Sequence, residues 1–472
     1  MINIEEKIKS DTHLQNVLNA ITDANVYVVG GYIRDLFFNK ISCDKDLIIV
    51  GNSPKNVALS LTNKINGHFI ELDEKNEIYR VVLEDKLNYV DIVSPENSLE
   101  DDLKRRDFTI NALCYDVKNN QLIDLFDGVR HLKEKKLMPI TEQNFQDDPL
   151  RVLRAFRFNS TYGFSIEENL FELLKKYSCG LKKCATERIN TELIKIFGGR
   201  NAYNSLIKMD EIGLVDFFFP IMKDVKKIPP NSHHHLPLFF HSLATMKEVQ
   251  DIFEGASEYV QKHLINVFCG DFSRLAFLKL AAFLHDIGKP STWTIEEDTG
   301  RHRFIKHDEV GAELVKNILK KLKFSNKQIL YIQKMIRNHI YPSALISSSE
   351  CTQNAKRRFL RKMEDDTIDV IVLAQADRLS ARGEKITDEI VYQNIKLLNE
   401  LLSFYFQEKE KLKPLPKLLD GNEIMSILNI KASPILGKII LALQEEQLSE
   451  NILTKEEAIK FVTEMFKTYS DL

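Results

Sequence analysis

The segment 26–50, VYVVGGYIRDLFFNKISCDKDLIIV, constrains the fold more than any other part of the chain. Its first residues, VYVVG, are apolar and β-branched over the length that is typical of a buried strand. Gly30 and Gly31 follow, and YIRDLFF predicts at least one turn of helix. After a polar loop, the strand pattern resumes at LIIV, directly behind Asp44 and Asp46. The segment therefore predicts a strand–helix–strand unit with two acidic residues at the start of its second strand.

Asp44 and Asp46 are expected to point the same way, with Lys45 opposite, because alternate residues of a strand share a face. Two neighbouring carboxylates repel each other unless a cation lies between them, and oxygen ligands suit Mg²⁺. The glycine pair lets backbone N–H groups approach a phosphate. By itself Asp-x-Asp is more often a solvated strand edge, and Gly-Gly is more often a turn. Their combination is what metal-assisted nucleotidyl transfer needs.

Length and composition restrict the class of protein. The chain has 472 residues, enough for about two to four domains. A formal net charge of −3 excludes a polycation, so any contact with nucleic acid must come from local basic patches. The six cysteines form no CxxC pair, the N-terminus lacks an apolar signal core, and no apolar run approaches a membrane span. We therefore expect reduced thiols, a cytoplasmic location and no membrane partner.

The pattern along the chain predicts an α+β architecture. Residues 1–25 predict a short helix, and 26–116 carry five strand-like runs, VYVVG, LIIV, HFIEL, YRVVL and YVDIV, with helices between them. A turn-rich link follows at 117–138, and from Asp147 onward the pattern is helical and strands essentially disappear. The Pro- and His-rich stretch 227–240 is interpreted as a linker, and its histidines at 233–235 as linker residues. We predict a catalytic head at 1–138, a helical neck at 139–228, a second helical domain at 229–385 and a helical tail at 386–472.

A second polar cluster lies in LEDDLKRRDFTINALCYD, residues 99–116. The guanidinium groups of Arg105 and Arg106 suit triphosphate oxygens. Asp107 and Asn111, one helical turn apart, could fix a ribose hydroxyl and a backbone turn. Taken alone, the segment is as easily a charged helix start with ordinary ion pairs.

A third cluster, DDPLRVLRAFRF, begins at Asp147. Pro149 fits the first turn of a helix with the two acids as N-cap candidates, which places Asp148 and Arg151 on one helix face. A carboxylate accepts from an exocyclic amine and a guanidinium donates to a ring acceptor, so the pair could read cytosine or adenine and reject uracil and guanine. Arg154 and Arg157 continue the stripe towards phosphates. The alternative is a capped helix with arginines on its wet face.

Histidines and aspartates recur in five later segments in the order H…HD…H…H…D. A lone histidine on an apolar helix is usually a core residue, but this set could bind a divalent transition metal or Mg²⁺, whose bound water attacks phosphate. Lys289 could meet a substrate phosphate. The predicted ligands are His241, His285, Asp286 and Asp377, with His307 and His339 as further ligands.

These motifs resemble known families. GGYIRDLFFNKISCDKD, RRDFTINAL and the Asp148–Arg151 template followed by RAFRF resemble the class II tRNA nucleotidyltransferases and bacterial poly(A) polymerases, and HDIGK resembles the HD phosphohydrolases. The resemblance implies a polymerase-β-like head with a small mixed sheet, an all-α neck, an HD-type domain and a tRNA-binding tail. It implies catalysis by Asp44 and Asp46 with Mg²⁺, and binding of CTP and ATP by Gly30, Gly31, Arg34, Arg105, Arg106, Asp107, Asn111, Asp148, Arg151, Arg154 and Arg157.

Three features bear on how closely the chain follows that family. Asp147 stands where the family usually has Glu. This difference affects how Arg151 is held and hence the base selectivity. Glu187 and Arg188, in ATERINTELIKIF, are expected to brace the template helix, although a charged helix face explains them equally well. Asp91 in YVDIV is either a third metal carboxylate or a polar strand residue.

The family's flexible loop before the RRD motif is nearly absent here. Asp91 leads through SPENS, a tight turn, straight to LEDDLKRRD. This shortening resembles the CC-adding enzymes, which stop after two cytidines and depend on a separate A-adding enzyme. We therefore predict addition of CC, or of CCA, to tRNA 3′ ends. The alternatives are a poly(A) polymerase, an A-adding enzyme, or an HD phosphohydrolase with a degenerate RNA-binding head, and the intact Asp-x-Asp argues against the last.

Overall fold

The structure, a computed structural model, describes residues 4–231, 235–348, 351–383, 385–409, 417–448 and 451–470. The chain divides into two compact units, Met1–Phe218 and Phe219–Leu472. The four predicted domains keep their status as a prediction, with the predicted boundary at 228 lying ten residues beyond this division. Of the histidines at 233–235, the first two lie outside the described residues, and His235 is exposed.

One mixed sheet forms the centre of the first unit. Its strands are β1 (Asn25–Val29), β2 (Asp44–Val50), β3 (His68–Asp73), β4 (Ile78–Val82), β5 (Tyr89–Val93), β6 (Leu113–Asp116) and β7 (Gln121–Asp124). They lie in the order β3-β4-β5-β2-β1-β6-β7. The β2–β5 pair is parallel and the other neighbouring pairs are antiparallel. The small mixed sheet and the α+β class are confirmed.

The last two strands of this sheet were missed in the sequence. All four residues of β6 are buried, so the strand shows no alternation of apolar and polar residues. Strand β7 has only four residues and lies inside the segment that was interpreted as a link. Both strands extend the sheet beside β1, the strand that leads to Gly30.

Helices surround the sheet and form the rest of the first unit. The N-terminal segment is two helices rather than the predicted one, because the Asp11 side chain accepts from Leu14 N and starts a new helix. The helices are α1 (Ile4–Ser10), α2 (Thr12–Ala20), α3 (Gly31–Phe37), α4 (Pro54–Lys64), α5 (Leu99–Lys104), α6 (Gly128–Glu134), α7 (Gln143–Asp147), α8 (Arg151–Tyr162), α9 (Glu168–Tyr177), α10 (Thr186–Gly198), α11 (Ala202–Glu211) and α12 (Leu214–Phe218), with 3₁₀ turns at Thr109–Asn111 and Ser178–Lys183.

The helical interpretation of residues 99–116 was wrong in its second half. Helix α5 ends at Lys104, and the chain then forms the turn Thr109–Asn111 and strand β6. Asp107 and Asn111 are therefore not one helical turn apart. Before α5, residues 94–98 are a short connection with a bend at Glu96 and Asn97.

The second unit is mainly helical. Its helices are α13 (Met222–Val225), α14 (Leu238–Gly255), α15 (Glu258–Ile265), α16 (Arg274–Leu284), α17 (Lys289–Thr292), α18 (His307–Lys321), α19 (Asn326–Asn338), α20 (Tyr341–Ser347), α21 (Gln353–Met363), α22 (Thr367–Ser380), α23 (Asp388–Glu408), α24 (Gly421–Leu428), α25 (Pro434–Leu448) and α26 (Lys455–Ser470), with a 3₁₀ turn at Glu364–Asp366.

Two short antiparallel ribbons interrupt these helices, where the sequence predicted essentially no strands. They are β8 (Val267–Cys269) with β9 (Phe272–Ser273), and β10 (Trp293–Ile295) with β11 (His302–Phe304). Helix α16 is buried from Leu275 to Leu284, and it forms the centre of this unit. Among the described residues, no helix is both long enough and apolar enough to cross a membrane.

Candidate active sites

Three carboxylates converge at the N-terminal ends of two parallel strands. Asp44 and Asp46 lie on β2, and Asp91 of β5 is in register with Asp46. One oxygen from each of the three lies within 4.8 Å of the others. Burial raises the pKa of Asp46 to about 6, and burial together with the charge of Asp91 raises the pKa of Asp44. A set of oxygen ligands whose mutual repulsion a cation would relieve fits Mg²⁺.

Asp91 also has a partner that the sequence did not reveal. Arg80 on β4 donates to it through two nitrogens, Nε to Oδ1 at 2.7 Å and Nη2 to Oδ2 at 2.8 Å. The guanidinium carbon of Arg80 lies 3.9 Å from the centre of the Tyr89 ring. Asp91 is thus both a member of the carboxylate cluster and one half of a bidentate ion pair.

Gly30 permits a close approach between the turn after β1 and the carboxylates. Its φ is +76°, and a Cβ at this position would lie 2.7 Å from Arg106 Nη1 and 2.8 Å from Asp46 Oδ2. Any other residue would displace one of these two groups, so the glycine is needed for both conformation and space. Gly31 begins α3 and lines the cavity that is described below.

The two arginines after α5 are held by a buried acid that sequence reasoning missed. Asp102 accepts from Arg105 Nε at 2.9 Å and from Arg106 Nη2 at 3.2 Å. Asp102 therefore positions both arginines of the RRD motif.

Lys45 lies on the opposite face of β2 from Asp44 and Asp46. It is fully buried and donates to Ser42 O and Asn88.

Asp107 links the turn at Thr109–Asn111 to helix α8. It accepts from Asn111 Nδ2 at 2.7 Å and from Arg154 Nε at 2.6 Å. Burial raises its pKa, but the charge of Arg154 and these hydrogen bonds outweigh burial and lower it to about 2. Asp107 and Asn111 are thus linked by their side chains although no helical turn joins them.

The predicted base-reading pair is held by neighbouring groups. Asp148 precedes α8, accepts from Leu150 N at 3.2 Å, and pairs with Arg188 Nη2 at 2.7 Å. Arg151 Nη2 donates to Arg105 O at 2.6 Å, while its Nη1 is buried without a hydrogen-bond partner in the described part of the chain. Arg188 thus contacts Asp148, the acid of the predicted pair. Glu187 is exposed and its carboxylate contacts none of the described residues through a hydrogen bond or an ion pair.

Arg34 and Arg157 are held in a second layer. Arg34 is buried and donates to Asn111 Oδ1 at 2.6 Å, and Tyr162 OH lies 3.3 Å from its Nη2. Arg157 pairs with Glu192 at 3.2 Å. Asp147, by contrast, lies at the end of α7 and accepts from Gln143. Tyr162 and Glu192 were missed, because only the packing of α8 against α10 and the head brings them to the site.

Many of these groups line one cavity of about 740 Å³ within the first unit. This volume is in the range of small-molecule sites, roughly 300–1,000 Å³. Seven arginines and one lysine face it, which suits a polyanionic ligand. Its lining is Gly31, Arg34, Asp44, Asp46, Asp102, Arg105, Arg106, Asp107, Asn111, Asp148, Arg151, Arg154, Arg157, Thr161, Tyr162, Arg188, Lys195 and Gly198.

A second polar cluster lies inside the second unit. The six predicted His and Asp residues come together from α14, the α16–α17 turn, α18, the end of α19 and α22. Asp286 lies at their centre: its Oδ2 is 3.1 Å from His285 Nε2 and 3.6 Å from His241 Nε2. Its Oδ1 is 3.2 Å from His307 Nε2 and 3.8 Å from His339 Nε2. Asp377 Oδ1 is 3.1 Å from His241 Nε2.

Backbone carbonyls orient three of these imidazoles. The Nδ1 atoms of His285, His307 and His339 lie 2.7, 2.7 and 2.6 Å from the carbonyl oxygens of Ala282, Phe304 and Ile336. A carbonyl only accepts, so each Nδ1 carries the proton and each Nε2 presents a lone pair to the cluster. His285 Nε2 is buried and has no hydrogen-bond partner among the described residues. This donor set fits a divalent metal ion.

Two neighbours complete this cluster. Lys289 Nζ is 2.5 Å from Asp286 Oδ2. A Cβ at Gly288 would lie 2.0 Å from His307 O, so the turn after α16 packs directly on the start of α18. Burial lowers the pKa of His339 to about 4, which keeps this imidazole in the neutral form that binds metals.

Comparisons with known proteins match three parts of the chain. Residues 26–138 match the poly A polymerase head domain, 163–226 the probable RNA and SrmB-binding site of polymerase A, and 238–382 the HD domain. Two relatives are each 28% identical. An A-adding tRNA nucleotidyltransferase of Deinococcus radiodurans aligns over 92% of this chain and 94% of its own length, and a CC-adding tRNA nucleotidyltransferase of Thermus thermophilus over 93% and 94%.

The chain belongs to the tRNA nucleotidyltransferase and poly(A) polymerase family. The predicted family and the predicted nucleotidyltransferase class are thereby confirmed. The fold is also that of a Thermotoga maritima CCA-adding enzyme complexed with tRNA, at a TM-score of 0.55 and 22% identity over 98% of both chains. The relatives include enzymes named as A-adding, CC-adding and CCA-adding, so family membership alone leaves the product open.

Proposed function

We propose that this protein adds nucleotides from CTP, or from CTP and ATP, to the 3′ end of tRNA. The observation that carries the proposal is the shared cavity: its lining includes Asp44 and Asp46 of the carboxylate cluster together with Asp148 and Arg151 of the predicted base template. The names of the relatives from Deinococcus radiodurans and Thermus thermophilus supply the substrate class, tRNA.

Asp44, Asp46 and Asp91 would hold Mg²⁺, which supplies charge neutralisation and activation of the 3′-hydroxyl. Arg105 and Arg106 bind the triphosphate, since their guanidinium groups are set towards the cavity by Asp102. The 3′-oxygen of the RNA attacks the α-phosphorus, and pyrophosphate leaves on the side of these arginines. Asp107 and Asn111, which are joined by a side-chain hydrogen bond, set the backbone turn that follows Arg105 and Arg106.

Asp148 and Arg151 read the incoming base. The carboxylate of Asp148 accepts from the exocyclic amine of cytosine or adenine, and the unpaired Arg151 Nη1 donates to the adjacent ring acceptor. Arg188 and the carbonyl of Arg105 fix these two side chains. Uracil and guanine would leave both groups unpaired, which is costly inside a partly buried site.

We further propose that addition stops after two C residues. Changing the pocket from cytosine to the larger adenine requires Asp148 and Arg151 to move relative to the base. The short connection 94–98 between β5 and α5 leaves little slack for such a movement, and Ser98 is fixed as the cap of α5. A separate A-adding enzyme would then complete the tRNA.

The test uses purified protein, tRNA truncated before the CCA end, and single labelled nucleotides. We expect two C residues from CTP alone, and poor addition of A to a tRNA ending in CC. Efficient addition of one A to that tRNA would overturn the CC limit and leave nucleotidyl transfer standing. Long tails from ATP would identify a poly(A) polymerase, and incorporation of none of the nucleotides would overturn the proposal as a whole.

A second function is favoured by the cluster in the second unit. We propose that His241, His285, Asp286, His307, His339 and Asp377 hold divalent metal and hydrolyse a phosphoester, with Lys289 next to the substrate phosphate. The imidazoles that face the two oxygens of Asp286 would hold the metal together with this carboxylate, and the metal would supply an activated water. Protein loaded with Mn²⁺, Ni²⁺ or Co²⁺ should hydrolyse 2′,3′-cyclic phosphate ends or similar esters. Absence of hydrolysis with all three metals would leave the HD unit a scaffold.

A further inference from the structure

One cation of the nucleotide cavity differs from the rest. All seven arginines that line the cavity donate to a carboxylate, an amide oxygen or a backbone carbonyl. Lys195, on α10, forms no hydrogen bond and no ion pair with any residue in the described ranges of the chain. It is exposed, so its ammonium can reach a ligand without first breaking a contact inside the protein.

The cations around the carboxylates fall on two sides. Arg106 and the turn at Gly30 are close to Asp46, as the short distances from a Cβ at Gly30 show. Lys195 lines the same cavity as Asp44, and the charges of Arg80, Lys195 and Lys45 oppose the rise in the pKa of Asp44 that burial causes. Arg80 is already bound to Asp91 through both oxygens. Of the cations near Asp44 in the described part of the chain, Lys195 is therefore the uncommitted one.

Nucleotidyl transfer gives these two sides different tasks. The attacking 3′-oxygen and the leaving pyrophosphate lie on opposite sides of the α-phosphorus. In the proposed reaction Arg106, next to Asp46, faces the pyrophosphate, which leaves the Asp44 side for the RNA strand. A phosphodiester is the anion that the strand brings there, whatever its base sequence.

We propose that Lys195 binds the backbone phosphate at the 3′ end of the acceptor RNA and so holds the 3′-hydroxyl at the carboxylates. This inference rests on the proposed nucleotidyl transfer and assigns its acceptor side. A lysine suits the task because a point charge on a long flexible stem contacts a phosphate without fixing its geometry. The same contact can therefore serve each successive 3′ end as the strand grows.

The experiment compares Lys195→Met and Lys195→Arg with Lys182→Met, which removes an exposed lysine of the same unit that does not line the cavity. KM is measured for acceptor RNA at saturating CTP, and for CTP at saturating RNA. We expect Lys195→Met to raise the KM for RNA about tenfold and to leave the KM for CTP within about twofold. Lys195→Arg should restore most of the loss, and Lys182→Met should match wild type.

Salt dependence supplies a second readout. Loss of one phosphate contact should make log kcat/KM against log salt less steep by about 0.7 for the single-stranded 3′ end. A raised KM for CTP with an unchanged KM for RNA would place Lys195 on the triphosphate side and overturn the proposal. Equal effects of Lys182→Met, or an unchanged salt slope, would also overturn it. Failure of wild type to add any nucleotide would instead contradict the proposed function itself.

Discussion

At the scale of single residues, the Asp-x-Asp pair has the most direct test. Both carboxylates lie on one face of β2 beside Asp91, so removing either one takes away a ligand that no neighbour replaces. We expect Asp44→Ala and Asp46→Ala to abolish transfer with CTP and ATP alike, and to leave the circular dichroism spectrum unchanged. Glu71→Ala, on the exposed strand β3, is the matched control. Single-turnover activity near that of wild type in either variant would refute the metal assignment.

The proposed base template, Asp148 and Arg151, is tested by the nucleotide selectivity of its variants rather than by their reaction rate. We expect Asp148→Ala and Arg151→Ala to increase incorporation of UTP and GTP relative to CTP. Losing one charged hydrogen-bond partner costs roughly 1.5–3 kcal/mol, on the order of a ten- to hundredfold change in discrimination. Arg188→Ala should share a part of this effect, because Arg188 holds Asp148 at 2.7 Å.

The control for the template is Lys182→Met, in the same unit and outside the cavity. Competition assays with paired nucleotides report discrimination independently of how much enzyme is active. If all three template variants lose rate but keep the selectivity of wild type, the base is read by other residues.

The residues that the sequence identified and those that it missed differ in one physical respect. Asp44, Asp46 and the arginines of α8 are spaced within one element, where the strand or helix period fixes which of them share a face. Arg80 and Lys195 act across elements. Arg80 reaches Asp91 only because β4 and β5 pair, and Lys195 reaches the cavity only because α10 packs on α8.

At the scale of elements, the same limit explains the errors. Strand β1 and the glycine turn were predicted because their apolar run is bounded by residues with strong conformational preferences. Strand β6 is buried on both faces and follows directly on a 3₁₀ turn. Neither an alternation of apolar and polar residues nor a turn-forming Gly or Pro therefore marks it in the sequence. The parallel pairing of β2 with β5, which brings Asp91 to Asp46, depends on long-range contacts that single segments do not encode.

Helix α16 carries a prediction about stability. It is buried along most of its length and includes Lys279, whose Nζ donates to Gln250 Oε1 at 2.9 Å. Burial lowers the pKa of Lys279 from 10.5 to about 7, against the charges of Glu254 and Asp251, which raise it. Between these two values the unfolded chain binds a proton that the native chain does not, so native stability rises with pH across that window. Below about 7 the cost of the buried charge is fully present.

We therefore expect Lys279→Met to stabilise the second unit at pH 6 by a few kcal/mol at most, and to lose most of this gain by pH 10. Trp293, the single tryptophan of the chain, lies in this unit and reports its unfolding by fluorescence. Lys262→Met, an exposed lysine on α15, serves as the control. A stability gain that is the same at both pH values would show that Lys279 is neutral throughout.

At the scale of the whole molecule, two metal-ligand clusters lie in two different compact units. The carboxylate cluster belongs to Met1–Phe218 and the His/Asp cluster to Phe219–Leu472. The order of the head, neck and HD segments was predicted from the sequence, because each has its own motif and composition. The division of the folded chain at residue 218 was not, since it depends on which helices pack together.

This separation predicts that the two activities can be removed independently. His285→Ala or Asp286→Ala should abolish phosphoester hydrolysis by the Mn²⁺-, Ni²⁺- or Co²⁺-loaded protein and reduce its metal content, measured by mass spectrometry. Nucleotide addition to truncated tRNA should stay within about twofold of wild type, because none of the described residues that line the 740 Å³ cavity belongs to the second unit. The reciprocal variant, Asp44→Ala, should lose nucleotide addition and keep hydrolysis and bound transition metal. If His285→Ala lowers nucleotide addition as strongly as Asp44→Ala while the protein stays folded, the two sites are coupled and the independence of the units is wrong.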